Sequence, residues 1–366
     1  MTTATPDTPT PPGGEGHRHH HKQEKEDASE EILEVAPGIL RLQLPIDFTG
    51  LGHVNTYALE DGDGFALVDP GLPGEANWKV LLQRMAAAGI PLARVHTVIV
   101  THSHPDHFGG AGMLAAEAGA RVVTSEHFRM WWDPQDIDDD ELEAVAHDAD
   151  VDDLPLPLRT TPWGGTPPGP PPERREEFLR SLRNGSPFFQ PPRPTHRVAD
   201  RDVITLAGRE WVGLFTPGHT DDHLCLFDPT NGVLLVGDQV LPTITPHVSG
   251  LIEGDSLALF IESLDRLAGL DGVRTVLPAH GHPFTDLPGR VDAITQHHDE
   301  RLSTLQTISA GVGWAGVVAL SHELFAPRSW GSMAESETYA HLEHLRASGV
   351  AECRREDGEL RYLVTG

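Results

Sequence analysis

From Ile32 onward, short apolar runs alternate with amphipathic stretches and turn residues. "GILRLQLP" and "NTYALEDGDGFALVDPG" predict strands joined at a Gly/Asp turn. "EANWKVLLQRMAAAGI" predicts a helix with Trp78, Leu81, Leu82 and Met85 on one face and Gly89 ending it. Strand "RVHTVIV", a polar loop, helix "AGMLAAEAGA" and strand "RVVTS" follow. This rhythm predicts a sheet with helices packed on it.

Between about 128 and 200 the pattern breaks. "LPLPLRTTPWGGTPPGPPP" holds too many prolines for a regular element, since each removes a donor and blocks a helix. Trp131, Trp132, Trp163, Phe188 and Phe189 make the insert more than a linker. It is either a lid or substrate wall, or a packing ornament. Alternation returns with "DVITLAGREWVGLF", "HLCLFDPTNGVLLVGDQ", helix "DSLALFIESLDRLAGL" and strand "RTVLPAHGH". Here the second half echoes the first: "FALVDPG" then "TVIVTHSH" resembles "VLLVGDQ" then "TVLPAHGH". Two such halves facing each other would bring their strand ends to one edge. From about 291 to 366, three helical stretches and a hairpin turning at Asp357-Gly358 predict a small winged-helix-like module.

Residues 1–31 lack apolar periodicity and read as a disordered tail, with "HRHHHK" a solvated run of no fixed geometry. The domain plan is therefore a tail over 1–31, a main domain over 32–290 with its insert, and the module over 291–366. With 27 Lys+Arg against 55 Asp+Glu, the net charge is −28, which opposes loose attraction to nucleic acid or anionic membranes. The module's candidate recognition helix carries Glu335, Glu337 and Glu343 against Arg346, with His341 and His344 neutral at pH 7. Such a helix suits packing or dimerisation better than phosphate contact, and a homodimer is left open. Cys225 and Cys353 form no CxxC pair, no apolar run approaches about 18 residues, and no signal peptide is evident. A cytoplasmic protein without membrane partners is expected.

The chemistry is concentrated in "THSHPDHFGG", Thr101 to Gly110. Three imidazoles this close repel if protonated and waste hydrogen-bonding capacity if buried neutral, and a metal compensates. Alternate residues of an extended segment share a face, so His102 and His104 can grip one ion. Pro105 turns the chain, sending Asp106 and His107 toward another point. Distant strand ends supply the rest: His219 in "TPGHT", Asp238 in "VGDQ" and His280 in "PAHGH". The Asp238 carboxylate can offer one oxygen to each of two ions. An all-nitrogen-and-oxygen donor set suits zinc first, with iron or manganese as alternatives. His53 and His247 could stand at the rim, or be ordinary loop residues.

The loop, "TPGHT", "GDQ" and "AHG", in this order and each behind an apolar strand, resemble the metallo-β-lactamase superfamily over roughly residues 35 to 290. The resemblance implies an α+β fold, a four-layer αββα sandwich. It also implies one metal on His102, His104 and His219 and a second on Asp106, His107 and His280, with Asp238 bridging. Asp69 in "VDPG" matches an aspartate that orients ligands without binding metal. The C-terminal module resembles the winged-helix tail of members akin to lactamase-beta-like protein 2. Asp238 and His107 match the glyoxalase II-like branch, which chiefly hydrolyses thioesters. The expected enzyme is a dinuclear metallo-hydrolase cleaving a small-molecule thioester or ester. Two ions roughly 3.5–4 Å apart would make hydroxide available near pH 7, and Asp106 would orient it. The alternatives are an endoribonuclease or phosphodiesterase of the same fold, a mononuclear-iron sulfur dioxygenase, and a non-catalytic metal-binding scaffold.

Overall fold

A computed structural model describes residues 21–46, 50–62, 64–130, 161–165, 180, 184, 186, 188 and 192–365. Trp131, Trp132 and Phe189 lie outside the described residues, as does the "HRHH" part of the tail. Seven strands form a first sheet in chain order: β1 (Leu33–Ala36), β2 (Ile39–Pro45), β3 (His53–Asp61), β4 (Gly64–Val68), β5 (Val95–Ile99), β6 (Arg121–Ser125) and β7 (His196–Val198). β1 to β4 pair antiparallel, and β4 to β7 pair parallel. Parallel steps require crossovers. α1 (Glu75–Ala87) supplies the one from β4 to β5, the one-turn α2 (Pro105–Phe108) and α3 (Ala111–Ala118) the one from β5 to β6, and residues 126–195 connect β6 to β7. A second sheet holds β8 (Val203–Leu206), β9 (Arg209–Phe215), β10 (Leu224–Asp228), β11 (Val233–Gly237) and β12 (Thr275–Pro278) in the order β12-β11-β10-β9-β8. α4 (Ser256–Ala268) crosses between β11 and β12, and the Asp255 side chain caps its first turn.

Period-two side-chain alternation builds the layers. In the first sheet, Leu67, Val98 and Val122 join a cluster with Trp78, Leu81 and Met85 of α1 and Leu114 of α3. Their chain neighbours Ala66, Val68, Ile99 and Val123 point the other way, into a cluster shared with Leu224, Leu226, Val233, Leu235 and Leu277 of the second sheet. From that sheet's other face, Cys225, Leu234, Val236 and Val276 meet Leu257, Phe260 and Leu264 of α4. The order is thus helices, sheet, sheet, helices. Each central strand is buried on both faces, and this is why "FALV", "TVIV" and "VLLV" read as continuous apolar runs.

The chain continues through α5 (Leu287–Val312), β13 (Ala315–Gly316), α6 (Val317–Leu324), α7 (Ser332–Ala347), β14 (Ala351–Glu356) and β15 (Glu359–Val364). The last three strands form a small sheet in the order β13-β15-β14, and the β14–β15 turn has positive φ at Asp357 and Gly358. The expected boundary near 290 falls inside a helix. Val291 and Ile294 of α5 belong to the second sheet's outer core, whereas Leu305 belongs to the C-terminal cluster with Leu342, Leu345 and Tyr362.

One expectation changes, and one pair of alternatives is decided. Residues 21–31, assigned to a disordered tail, are laid against the main domain, and Glu24 is fully buried. Its carboxylate accepts from the backbone N–H groups of Thr243 and Ile244 at 2.7 and 3.0 Å and from the Thr243 hydroxyl. A strongly polar segment escapes a periodicity search because backbone donors, not apolar contacts, hold it. Trp163 is also no substrate wall. It is buried in the C-terminal cluster, its ring lies 4.9 Å from Tyr339, and its Nε1 donates to Glu335 at 3.3 Å.

Trp163→Ala is therefore expected to destabilise the protein by about 3–5 kcal/mol without changing KM. Urea denaturation and steady-state kinetics on the same samples check this, and a KM rise at unchanged stability would contradict it.

Candidate metal centre

The two halves that echo each other in sequence are two parallel strand pairs, β4 with β5 and β11 with β12. Asp69 follows β4, the histidine loop follows β5, Asp238 follows β11 and His280 lies just beyond β12. Parallel pairing puts all four chain exits on one edge, which is why those strands end on polar residues. Gly237 makes the last approach feasible. Its φ is +49°, and a Cβ there would stand 2.7 Å from His223 Nε2 and 2.9 Å from Thr101 Oγ1.

His102, His104, His219 and Asp238 come together, with donor atoms within 4.8 Å of one another. His104 Nδ1 lies 3.0 Å from His102 Nε2 and 3.1 Å from His219 Nε2. Asp106, His107 and His280 form an adjoining group. The Asp106 Oδ2 oxygen is 3.6 Å from His107 Nε2 and 3.5 Å from His280 Nε2. Asp238 stands between the groups: Oδ2 is 3.5 Å from both His219 Nε2 and His107 Nε2, and Oδ1 is 3.2 Å from His280 Nε2. All seven residues named from the sequence thus converge on one place.

The opposite ring nitrogens fix which atoms face inward. His219 Nδ1 donates to the His247 carbonyl at 2.7 Å, and His280 Nδ1 to the His53 carbonyl at 2.6 Å. His107 Nδ1 donates to Asp69 Oδ2 at 2.9 Å. The Thr101 hydroxyl donates to the same oxygen at 2.8 Å and accepts from His102 Nδ1 at 3.0 Å. In the neutral ring, each Nε2 of these four is an inward lone pair. His104 Nδ1 has one proton at most, so it cannot satisfy both rings beside it. His107 Nε2, His280 Nε2 and Asp238 Oδ1 are buried with no hydrogen-bond partner. Unpaired buried acceptors are costly, and a divalent cation in each group satisfies them. The residues fit the metals expected of them.

Charge divides the centre. Burial, with His107 and His104 beside it, holds His102 well below its ordinary pKa, and burial likewise lowers His219. Burial would lower His107 too, but Asp106, Asp238 and Asp69 outweigh it and hold that imidazole well above its usual value. His280 is raised in the same manner by Asp238 and Asp106. Burial acts to raise Asp238, and His280 and His107 reverse this to keep it a carboxylate. The anionic half attracts positive charge, whereas the three-histidine half presents neutral donors.

Several contributors were not evident in sequence. His223 is fully buried, its Nε2 accepts from the Asp238 N–H at 3.1 Å, and Thr216 Oγ1 lies 2.9 Å from its Nδ1. It positions Asp238, and "HTDDH" carries too many histidines and aspartates to single it out. His53 is not at the rim: it is buried, its Nδ1 donates to the Glu26 carbonyl, and its Nε2 accepts from Gly281 N–H. His53 and His247 serve the centre through main-chain carbonyls, for which sequence carries no signal. Asp69 sits at φ +53°, a left-handed conformation that Asp tolerates. Its Oδ1 also accepts from the Thr101 N–H at 2.9 Å.

The sequence profile of the metallo-beta-lactamase superfamily matches residues 49–280. The probable metallo-hydrolase YqjP of Bacillus subtilis is 25% identical over 261 residues, 69% of this chain and 75% of that protein. An atrochrysone carboxyl ACP thioesterase of Aspergillus fumigatus is 25% identical over 295 residues, 79% of this chain and 69% of that protein. The chain spans 64% of two fungal lactamase-like proteins that it also resembles. The crystal structure of a metallo-beta-lactamase family protein from Thermus thermophilus superimposes with a TM-score of 0.71 at 29% identity. It covers 90% of this chain and 100% of its own, so the likeness extends beyond the main domain.

Asp238→Ala is expected to lose both cations, whereas His280→Ala keeps the one at His102, His104 and His219. Elemental analysis of dialysed protein distinguishes these outcomes, and two cations retained by Asp238→Ala would remove it from the bridging position. Asp69→Asn weakens an acceptor shared by three donors and is expected to lower cation affinity about 10–100-fold. Competition with a chromophoric chelator measures this, and unchanged affinity would reduce Asp69 to a structural residue.

Proposed function

This chain belongs to the metallo-beta-lactamase superfamily, and from that premise we propose that it hydrolyses thioesters or esters in a metal-dependent reaction. The observation that carries the reading is the set of inward, partnerless donors gathered around Asp238. Zinc is the first choice of cation, with iron or manganese as alternatives, because every donor is nitrogen or oxygen. His102, His104 and His219 would hold one ion and Asp106, His107 and His280 the other, with Asp238 shared. Such ions supply Lewis acidity, bringing the pKa of water from about 15.7 toward 7 and polarising a carbonyl.

The protein's own groups do the rest. Asp106, through the oxygen that faces His107 and His280, accepts a hydrogen bond from the attacking water and aims its oxygen at the acyl carbon. The new carbon–oxygen bond forms, the carbon–sulfur bond breaks, and a carboxylate and a thiolate result. The two protons of the water pass to solvent, where the thiolate takes one up to become the thiol. A thiolate leaves without a proton donor, which suits a centre whose titratable groups are committed to cations. The presence of both Asp238 and His107 supports the glyoxalase II-like branch, and the fungal relative named as an acyl-carrier thioesterase supports a thioester substrate.

The C-terminal unit, read as winged-helix-like, serves packing in this proposal. α7 buries Ala334, Ala340, Leu342 and Leu345 in its own chain, and Arg346 is paired with Glu343 at 2.7 Å. With a net charge of −28, little remains on this helix to hold phosphates. Among the described residues, no helix is long and apolar enough to cross a membrane. A small-molecule acyl substrate in the cytoplasm is the setting proposed.

The test is a panel of acyl-CoA, acyl-carrier-protein, acyl-glutathione, lactone and RNA substrates offered to zinc-loaded protein. Thiol release is expected from at least one thioester, lost on chelation and restored by zinc. Asp106→Asn should lower kcat by at least about 100-fold. RNA cleavage without thiol release would replace this reading with the phosphodiesterase one.

A further inference from the structure

Away from the centre at the sheet edge, α5 and α7 cross at a second buried cluster of metal-binding side chains. His298 comes from α5, and Glu337 and His341 come from one face of α7, four residues apart. One donor atom from each lies within 4.8 Å of the others. His298 and His341 are fully buried and Glu337 nearly so. This crossing joins the main domain's outer core, to which Ile294 and Ala340 belong, to the C-terminal cluster of Leu305, Leu342 and Leu345.

The hydrogen bonding is incomplete in a particular way. His341 Nδ1 donates to the Glu337 carbonyl at 2.7 Å, so its Nε2 is a lone pair. That atom faces His298 Nδ1 at 3.1 Å. If His298 donates through Nδ1, its Nε2 remains a buried acceptor, and no partner reaches that atom. If His298 carries its proton on Nε2, that N–H is stranded and two lone pairs confront each other. The first tautomer leaves an acceptor unpaired; in the second, a cation between the facing lone pairs removes their conflict, while the Nε2 N–H keeps no partner among the described residues.

The same arrangement resembles a metal site before loading. Two nitrogens bound to one tetrahedral zinc at about 2.0–2.1 Å stand roughly 3.3 Å apart, close to the separation present. The backbone hydrogen bond of His341 is the kind that orients ligating imidazoles. Burial holds His298 down to about 2 and His341 down to about 3, so both rings are neutral and available. Arg301 pairs with Glu337 Oε1 at 2.9 Å, which leaves Oε2 outside that pair. Its charge opposes a cation, and the Glu337 carboxylate, which burial pushes up in pKa and Arg301 draws down, offsets it in part.

We propose that His298, Glu337 and His341 form a third site for a divalent cation of the zinc class, clamping α5 to α7. Its role is structural: it fastens the C-terminal unit to the main domain. It does not depend on the hydrolase reading, because no donor is shared with the centre around Asp238.

The test is a zinc titration of the metal-free full chain against a chromophoric chelator, beside His341→Gln and His298→Gln. The readout is the difference in tight equivalents, whatever the main centre holds. Each variant is expected to bind one equivalent fewer than the parent. In the parent, cobalt(II) should give a tetrahedral visible band that each variant loses in part. The two variants alter different helices, so either one that folds suffices, and circular dichroism verifies the fold. Equal stoichiometry in parent and variants would overturn the site, and any extra equivalent would then belong to the His17–His21 run. A parent that saturates at two equivalents, both lost when His102 and Asp238 are replaced, would overturn it as well.

Discussion

The structure is organised around a local electrostatic conflict. Three imidazole nitrogens meet at 3.0–3.1 Å, and a second set of partnerless nitrogen and oxygen atoms stands beside them around Asp238. Protons cannot resolve the three-histidine half, because burial holds His102 and His219 below their ordinary pKa and their outer nitrogens already donate to fixed acceptors. The inward lone pairs are therefore held in place by the rest of the fold. Two parallel strand pairs deliver the side chains, Gly237 lets β11 approach the histidine loop, and Asp69, His223 and two backbone carbonyls orient what arrives. A divalent cation is the simplest charge that such a cage accepts.

Much of this was legible because the underlying rules are local. Runs such as "FALV" and "VLLV" mark strands buried on both faces, and the polar residue ending each marks the sheet edge. The spacing in "HSHPDH" and the later "GHT", "GDQ" and "AHG" names seven side chains that the structure gathers into two touching groups. What escaped has no local signature. The carbonyls of His53 and His247 are main-chain atoms, and their own imidazoles misdirect attention toward a rim. His223 is hidden among neighbours of similar chemistry. Glu24 looked like part of a solvated tail because its partners, Thr243 and Ile244, lie far along the chain. Trp163 could be read as wall or packing alike, because aromatic residues in a proline-rich insert give no hint of which core they enter.

The C-terminal unit bears on function through connection. α5 begins in the main domain's core and ends in the C-terminal cluster, and α7 lies across it. His344 Nδ1 meets the Asp255 carboxylate at 3.0 and 3.1 Å, tying α7 to the residue that caps α4. The loop from Asp238 to Asp255 thus runs from the carboxylate between the two groups, past the His247 carbonyl, to α7. Packing of the C-terminal unit and geometry of His219 are joined through that loop.

The central claim is that seven side chains hold two cations with Asp238 between them. Anomalous diffraction at the zinc edge from crystals of zinc-loaded protein tests it most directly. Two peaks are expected, one among His102, His104 and His219 and one among Asp106, His107 and His280, each within bonding distance of an Asp238 oxygen. A zinc-loaded crystal with no anomalous peak at these residues, or with one peak that Asp238 does not touch, would contradict the account.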